Sequence, residues 1–591
     1  MSSTDYKISN HFNPDNPEIP STYGCGFSEF ETLRKLMTYV NSLYNAYLEL
    51  NLAYVEISNG VGPSQIPAEL TATINNNVDN ILINTNALSK KANTNINANV
   101  TDYGAKGDGI TDDTQAFRDA SITGLPLLVP YTTSFFKLSG TIDLINSIRF
   151  DGQVKMFGSI GDDTHRGFSI TDNVVGSIII DNPLIDMGWD NITTTGEQDH
   201  AIIIQATNNI LIRGGHITNC MGDGIYVGGI DTIPSKNIRI ENVVIENVRR
   251  CNVALTGTDN VTIIGCTMHS NSDYVSCIDL EPNGTYHCRN TVIRDNTIVN
   301  TNGRGIVYVA LETGRDIKDI SILNNIIDCT GRGIQSVKEQ AGRVEIIGNV
   351  FKNCSEYIRI NAISDELIIE RNRFNGCTTL YAISIGTSQG GVKRLTMRNN
   401  YFENTTPTDK RNINITQIEY FTFEGNCIDG YCMSTAYING SLGLSDIKNS
   451  IINGNYFVNN GGYAVGYEGD FDSIVFTNNI ITPSLTYFTS YTKGANRVGA
   501  NSIIRNLKSI GNSYSTDLTA DYWGVQSGGI IPNNSQEMSR TTTYYMTSIP
   551  TVGTYRQGDE IINKLPTNGQ PKGWLCISGG TPGTWKTTGV L

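Results

Sequence analysis

The sequence predicts an all-β chain: a right-handed parallel β-helix, preceded by a helical, coiled-coil region and followed by a small C-terminal β-domain. Three observations predict it. A template of alternating apolar residues recurs through the middle of the chain. One asparagine keeps the same slot in copy after copy. A second family of short β-runs keeps step with the first. Periodic recurrence of this kind is the mark of a solenoid, in which each coil buries its apolar face only against its neighbours.

The template reads x-φ-x-φ-x-x-N-x-φ, with φ apolar. It is seen in "NIRIENVVIEN" from Asn237, "NTVIRDNTIVN" from Asn290, "DISILNNIIDC" from Asp319 and "RVEIIGNVFKN" from Arg343. It continues in "ELIIERNRFNG" from Glu366, "RLTMRNNYFEN" from Arg394 and "YFTFEGNCIDG" from Tyr420, then from Asn449, Asp472 and Asn506. Asn296, Asn325, Asn349, Asn372, Asn400, Asn426, Asn455, Asn478 and Asn512 take the recurrent slot. Asparagine tolerates the left-handed backbone of a sharp turn, and its amide both donates and accepts. Stacked amides are therefore expected to bond along the axis. The second strand family comprises residues 224–229, 252–257, 277–282, 305–310, 333–338, 357–362 and 382–387. Several parallel strands per coil give a right-handed β-helix, because parallel crossovers are overwhelmingly right-handed.

Bulk properties set limits. With 591 residues the chain is too long for one ordinary core. A charged fraction of 17% with 59 glycines and 28 tyrosines suits turn-rich β-structure. A net charge of −14 argues against nucleic-acid binding, which needs a basic surface. The N-terminus lacks a basic head followed by an apolar run, so no signal peptide is expected, and no stretch reads as a membrane span. Twelve scattered cysteines without a CxxC pair predict reduced, mostly buried thiols in a protein made in a cytoplasm, with no zinc site.

An open first coil needs a cover. "NVTDYGAKGDGITDDTQAFRDA", from Asn99, offers a strand, a glycine-rich turn and a helix that presents Ala116, Phe117 and Ala120, capped by Thr111 or Asp112. Its acids lack EF-hand spacing, and it lacks the Gly-Lys-Ser/Thr ending of a P-loop. This segment resembles the opening motif of the pectate-lyase-like β-helix superfamily, "VxDYGAxGDGxTDDTxAFxxA". That resemblance implies the fold and a polysaccharide-oriented superfamily but not a reaction.

The ends refine the picture. Phe30, Leu33, Met37, Val40, Tyr44, Tyr47 and Tyr54 follow three- and four-residue steps, as do Ile74, Val78, Ile81, Thr85 and Leu88. Both read as helices with a coiled-coil seam; a small helical domain packing on itself is the alternative. Residues 541–591 are dense in turn residues and short β-runs. The expected division is a helical attachment and trimerisation region at 1–97, the β-helix with its cap at 98–515, a linker at 516–540 and a small β-domain at 541–591. This arrangement resembles bacteriophage tailspike and pre-neck appendage proteins. The resemblance implies a homotrimeric virion protein, tied to tail or connector proteins by its N-terminus, that binds and cuts host surface glycans.

Within the second strand family, "SCIDLEPNGTYHC" from Ser276 carries two acids on one strand. Alternation sends Ile278 and Leu280 inward, and Cys277, Asp279 and Glu281 outward as exposed neighbours. Aligned coils place Tyr226, Ala254, Asp279, Val307, Gln335, Arg359 and Ser384 in one outward column. Residues two apart on a strand lie about 6.5–7 Å apart, a separation usable by an acid–base carboxylate pair and closer to inverting than to retaining geometry. Asp223, in the "GDGI" turn, overhangs the same groove and completes the candidate catalytic set. Arg250, Tyr226, Arg359 and His200 are the candidate substrate-binding residues, and Trp189, Tyr274 and Tyr286 are further aromatic candidates for sugar stacking. The six histidines show no metal-ligand spacing, and no GxSxG elbow is present.

The leading expectation is hydrolysis of capsular polysaccharide or wall teichoic acid without a cofactor. A polysaccharide lyase, with Arg250 or Arg359 as base and Ca²⁺ on Asp279 and Glu281, is one alternative. A non-catalytic glycan-binding adhesin is the other.

Overall fold

The computed structural model describes residues 97–591 except 172–175, 272–275, 285, 311–315, 338–340, 362, 380, 387–390, 404–411, 431–441, 461–462, 484–493, 515–522, 526, 528, 532–542 and 554. The two heptad seams and Tyr274 lie outside the described residues. The described chain winds as a right-handed β-helix of three parallel sheets, with 16, 15 and 15 strands. Each sheet takes every third strand, so every coil contributes one strand to each face.

The apolar template positions face the axis and stack in register. In the first sheet Ile212 pairs with Ile240, Ile240 with Ile263, Ile263 with Ile293 and Ile293 with Ile322, all essentially solvent-free. Full burial of each such side chain contributes about 2 kcal/mol. In the third sheet Phe351, Phe374 and Phe402 stack at centroid separations of 4.9 and 4.5 Å, the spacing that adjacent rungs impose.

The asparagine ladder is continuous. Asn372 shows the pattern: its Oδ1 accepts from the Asn349 N–H at 2.8 Å and the Asn349 amide at 3.1 Å. Its own amide donates to Ile346 O at 2.8 Å and Asn400 Oδ1 at 3.0 Å. The same bonds run from Asn296 to Asn512, but through Asn479 rather than Asn478. Two asparagines are adjacent there, so periodicity left two choices of phase. The left-handed residue is also not the ladder asparagine. It is the residue before it: Asp295, Asn324, Arg371, Asn399 and Asn478, with Gly348, Gly425, Gly454 and Gly511 in the other coils. The positive φ turns the chain, and the next residue sends its amide inside.

At the start of the solenoid, helix α1 (Thr114–Ser121) buries Ala116, Phe117 and Ala120. Its boundary falls at Asp113, although Asp112 accepts from the Thr114 N–H at 3.0 Å as a cap does. Asp113 instead holds the glycine-rich turn, accepting from Lys106 N–H at 2.6 Å and Gly107 N–H at 3.1 Å. Toward the other end, strand Trp523–Val525 still pairs with Gly494–Val498, within the stretch expected as linker. Residues 543–587 carry a separate four-stranded sheet over Ile561, Trp574, Cys576 and Trp585. All ten described cysteines are free thiols, nine of them buried.

Candidate functional site

The candidate acids lie on the outer side of the second sheet. Its strands Ile225–Gly228, Val253–Leu255, Ser276–Leu280, Arg304–Val309, Arg332–Val337 and Glu356–Asn361 are consecutive rungs. Their register aligns Tyr226, Ala254, Asp279, Val307, Gln335, Arg359 and Ser384. Two rungs separate Tyr226 from Asp279, about 10 Å along the axis, and Ala254 leaves a dip between them.

Asp279 points outward, as alternation predicts, but it is not exposed; only 5% of it meets solvent. Ala254 and Val307 flank it one rung below and one above, and both are buried themselves. Cys277 does not share its face. It packs inside the core, with its Sγ 3.5 Å from Val299 O. Burial pushes the Asp279 carboxyl up to about 8; the charges of Glu281 and Asp223 push the same way, against Arg250 and Arg304. Its Oδ1 is buried without a hydrogen-bond partner among the described residues, as suits a carboxyl that holds its proton. Glu281, one residue past the strand end, is half-buried.

Behind this pair lies a cluster from the turns before the strands. Asp223 is fully buried, and its Oδ1 accepts from Cys251 N–H at 3.0 Å. Burial raises its pKa to about 6, opposed chiefly by Arg250, whose Nε lies 3.9 Å from Oδ1. His200 stands one rung earlier, and its Nδ1 accepts from the Asp223 N–H at 3.0 Å. Burial, with Arg250 and Arg166, depresses the imidazole to about 3, so it is neutral. The 3.2 Å approach of Asp223 Oδ2 to the same Nδ1 is therefore not an ion pair.

The sequence pattern puts His200 in the groove; it is instead enclosed, stacked on Tyr226 at 4.7 Å, where it cannot meet a polymer. The tyrosine hydroxyl accepts from Thr256 Oγ1 at 2.7 Å. Arg250 reaches across to Glu197, with Nη1 3.6 Å from its carboxylate. Arg359 lies three rungs above Asp279, 3.5 Å from Glu356. The Trp189 indole donates to Thr193 O at 3.0 Å. The Tyr286 ring lies on Gly229 and Gly257, where an added Cβ would come within 2.7–3.0 Å of it. His216 and His269 stand within strands of the third sheet.

Sequence reasoning missed Glu197, Arg304, Arg332 and Glu356. Glu197 leaves no periodic trace. The other three open successive strands, and sliding the second-family alignment two residues toward the N-terminus would have found them. Among the described residues no three His, Cys, Asp or Glu side chains group as metal donors. Asp279 and Glu281 alone fall short of the six to eight oxygens of a calcium site.

Comparison with known proteins agrees with this architecture. Residues 167–351 match the family model described as "right handed beta helix region". The chain is 30% identical over 234 residues to the preneck appendage protein of Bacillus phage PZA, covering 35% of this chain and 26% of that one. The match thus spans about a quarter of the relative's length. A probable polygalacturonase of Arabidopsis thaliana is 24% identical over 315 residues, covering 46% of this chain and 64% of the plant protein. Among solved structures, the bacteriophage phi29 gene product 12 N-terminal fragment overlays with a TM-score of 0.43 at 17% identity, covering 76% of this chain and 74% of that one.

Proposed function

We propose that this chain is a phage appendage protein that hydrolyses a glycan of the host surface, capsular polysaccharide or wall teichoic acid, with Asp279 and Glu281 as its acid–base pair. The observation that carries the reading is the unequal environment of two neighbouring carboxyls. Asp279 is buried beside like charges and keeps its proton at neutral pH, while Glu281 stands half-open two residues on. Pairs whose surroundings differ in this way are how one site runs acid and base chemistry together.

Asp279 protonates the leaving oxygen, and Glu281 takes the proton of the attacking water. Asp223 acts through Asp279, because its charge helps hold the Asp279 proton in place. Its own contacts are with His200, Cys251 and Arg250. A lyase would need a deprotonated arginine. Burial works against the charge of Arg250, but Asp223, with Cys251 and Glu197, outweighs it and raises its pKa above the ordinary value. This supports hydrolysis over elimination.

The similarity to the phage appendage protein supports a place on the virion, and that to the polygalacturonase supports a sugar polymer as substrate. The heptad seams support a homotrimer joined to the virion through its N-terminal region, so the protein should scatter light as a multiple of its 64.6 kDa chain. The functional test is incubation with candidate host glycans followed by sizing. New reducing ends or phosphomonoesters without an unsaturated product support the reading. Binding with unchanged polymer length contradicts it.

A further inference from the structure

Three rungs from Asp279 along the same sheet, one buried carboxylate holds two arginines. The Glu356 side chain is 6% exposed, and its Oε2 lies 3.1 Å from Arg332 Nε and 3.5 Å from Arg359 Nη1. Arg332 Nη1 also donates to Gln335 Oε1 at 3.0 Å, which lays its guanidinium beside the outward column that contains Gln335 and Arg359. Both arginines stay partly open, at 31% and 39% of their side-chain surface. Glu356 Oε1 is buried and has no hydrogen-bond partner among the described residues.

Two guanidiniums fixed by one carboxylate carry an excess positive charge at a defined place on an otherwise acidic chain. Each offers five N–H donors in a planar fork, and the contacts above engage only a few of them. Such forks match the paired oxygens of a carboxylate or phosphate. The orphaned Oε1 is an acceptor of the kind that a sugar hydroxyl next to the anion would satisfy.

We propose that Arg332, Arg359 and Glu356 form an anion-recognising subsite for the polymer cleaved at Asp279. It takes an oxyanion of the repeat unit, together with a neighbouring hydroxyl. Three rungs correspond to about 14 Å. The recognised anion therefore sits a few monomers from the broken linkage, and the enzyme grips its substrate internally. This inference rests on the reading of Asp279 and Glu281 as the cleaving pair.

The test uses the full chain in native affinity electrophoresis, with gels containing polygalacturonate, its carboxyl-reduced neutral form, poly(glycerol phosphate) or dextran. Wild type should be retarded by at least one of the two anionic polymers and by neither neutral one. The anion that works identifies carboxylate or phosphate as the source. R332Q/R359Q should lose at least tenfold in apparent affinity, R332K/R359K should recover part of it, and D279N should bind like wild type. All should keep wild-type circular dichroism. Equal retardation by neutral and anionic polymers, no retardation by either anionic polymer, or retardation unchanged in R332Q/R359Q overturns the subsite. Arginine-dependent binding without cleavage leaves the subsite standing and removes the hydrolase. Cleavage indifferent to both arginines does the reverse.

Discussion

The Asp223 backbone N–H donates to His200 Nδ1 at 3.0 Å, and that bond fixes which imidazole nitrogen carries the proton. Nδ1 accepts, so Nε2 holds the hydrogen, 3.3 Å from Gln198 Oε1. Buried near Arg250 and Arg166, the ring is held neutral down to about pH 3. NMR of histidine-labelled protein should show one Nε2–H tautomer that does not titrate between pH 8 and 4. A transition near 6.5 would contradict the enclosure of this ring.

The Asp279 proton has a consequence for stability. The folded pKa is about 8 and the ordinary value 3.8, so the unfolded chain releases its proton first as pH rises. This group therefore costs stability progressively from about pH 4 to about pH 8, by about 1.4 kcal/mol for each pH unit crossed. Asp279→Asn mimics the protonated form and removes that cost. Its melting temperature should match wild type near pH 4 and exceed it by several degrees at pH 8. A variant less stable than wild type at pH 8 would show that Asp279 is ionised in the fold.

Asp223 should reveal itself through Asp279. Its charge raises the Asp279 pKa, and it also engages the arginine that lowers it. Asp223→Asn should therefore move the alkaline limb of kcat to lower pH, by about half a unit or more. An unmoved limb would make Asp223 a purely structural residue.

The ladder gives a prediction of a different kind. Asn372→Ala strips the Asn349 N–H and one Asn349 amide hydrogen of their acceptor, removes the side-chain donor to Ile346 O, and leaves Asn400 Oδ1 with the Asn372 backbone N–H alone. Buried groups orphaned in this way cost about 1–3 kcal/mol each, so melting should fall by many degrees. Arg371, the residue before it, has φ 54° and an exposed side chain. Arg371→Gly should be neutral or slightly stabilising, because glycine accepts that backbone without strain. The reverse ranking would contradict the division of labour between the two positions.

That division also marks the limit of what periodicity can tell. The template located the coils, the sheets and the outward column through Tyr226, Asp279 and Arg359, because stacked side chains must repeat in phase. It could not choose between Asn478 and Asn479, since both sit at the turn and only one points inward. It set Cys277 beside Asp279, although Cys277 packs inside the core. Nor could alternation tell outward from exposed. Asp279 and His200 are recessed by what flanks them, and burial of that kind is decided by neighbours distant in sequence. Glu197 stayed hidden for the same reason, since its approach to Arg250 leaves no period.

The most direct test of the central claim measures polymer cleavage by Asp279→Asn and Glu281→Gln, with Asp365→Asn as control. Asp365 is exposed on the first sheet and paired with Lys393 at 2.6 Å, so its loss should shift stability by less than about 0.5 kcal/mol. Each acid variant should lose about a hundredfold or more in turnover while binding the polymer normally, and the control should match wild type. Full turnover in both acid variants would contradict the account and remove the pair from the chemistry.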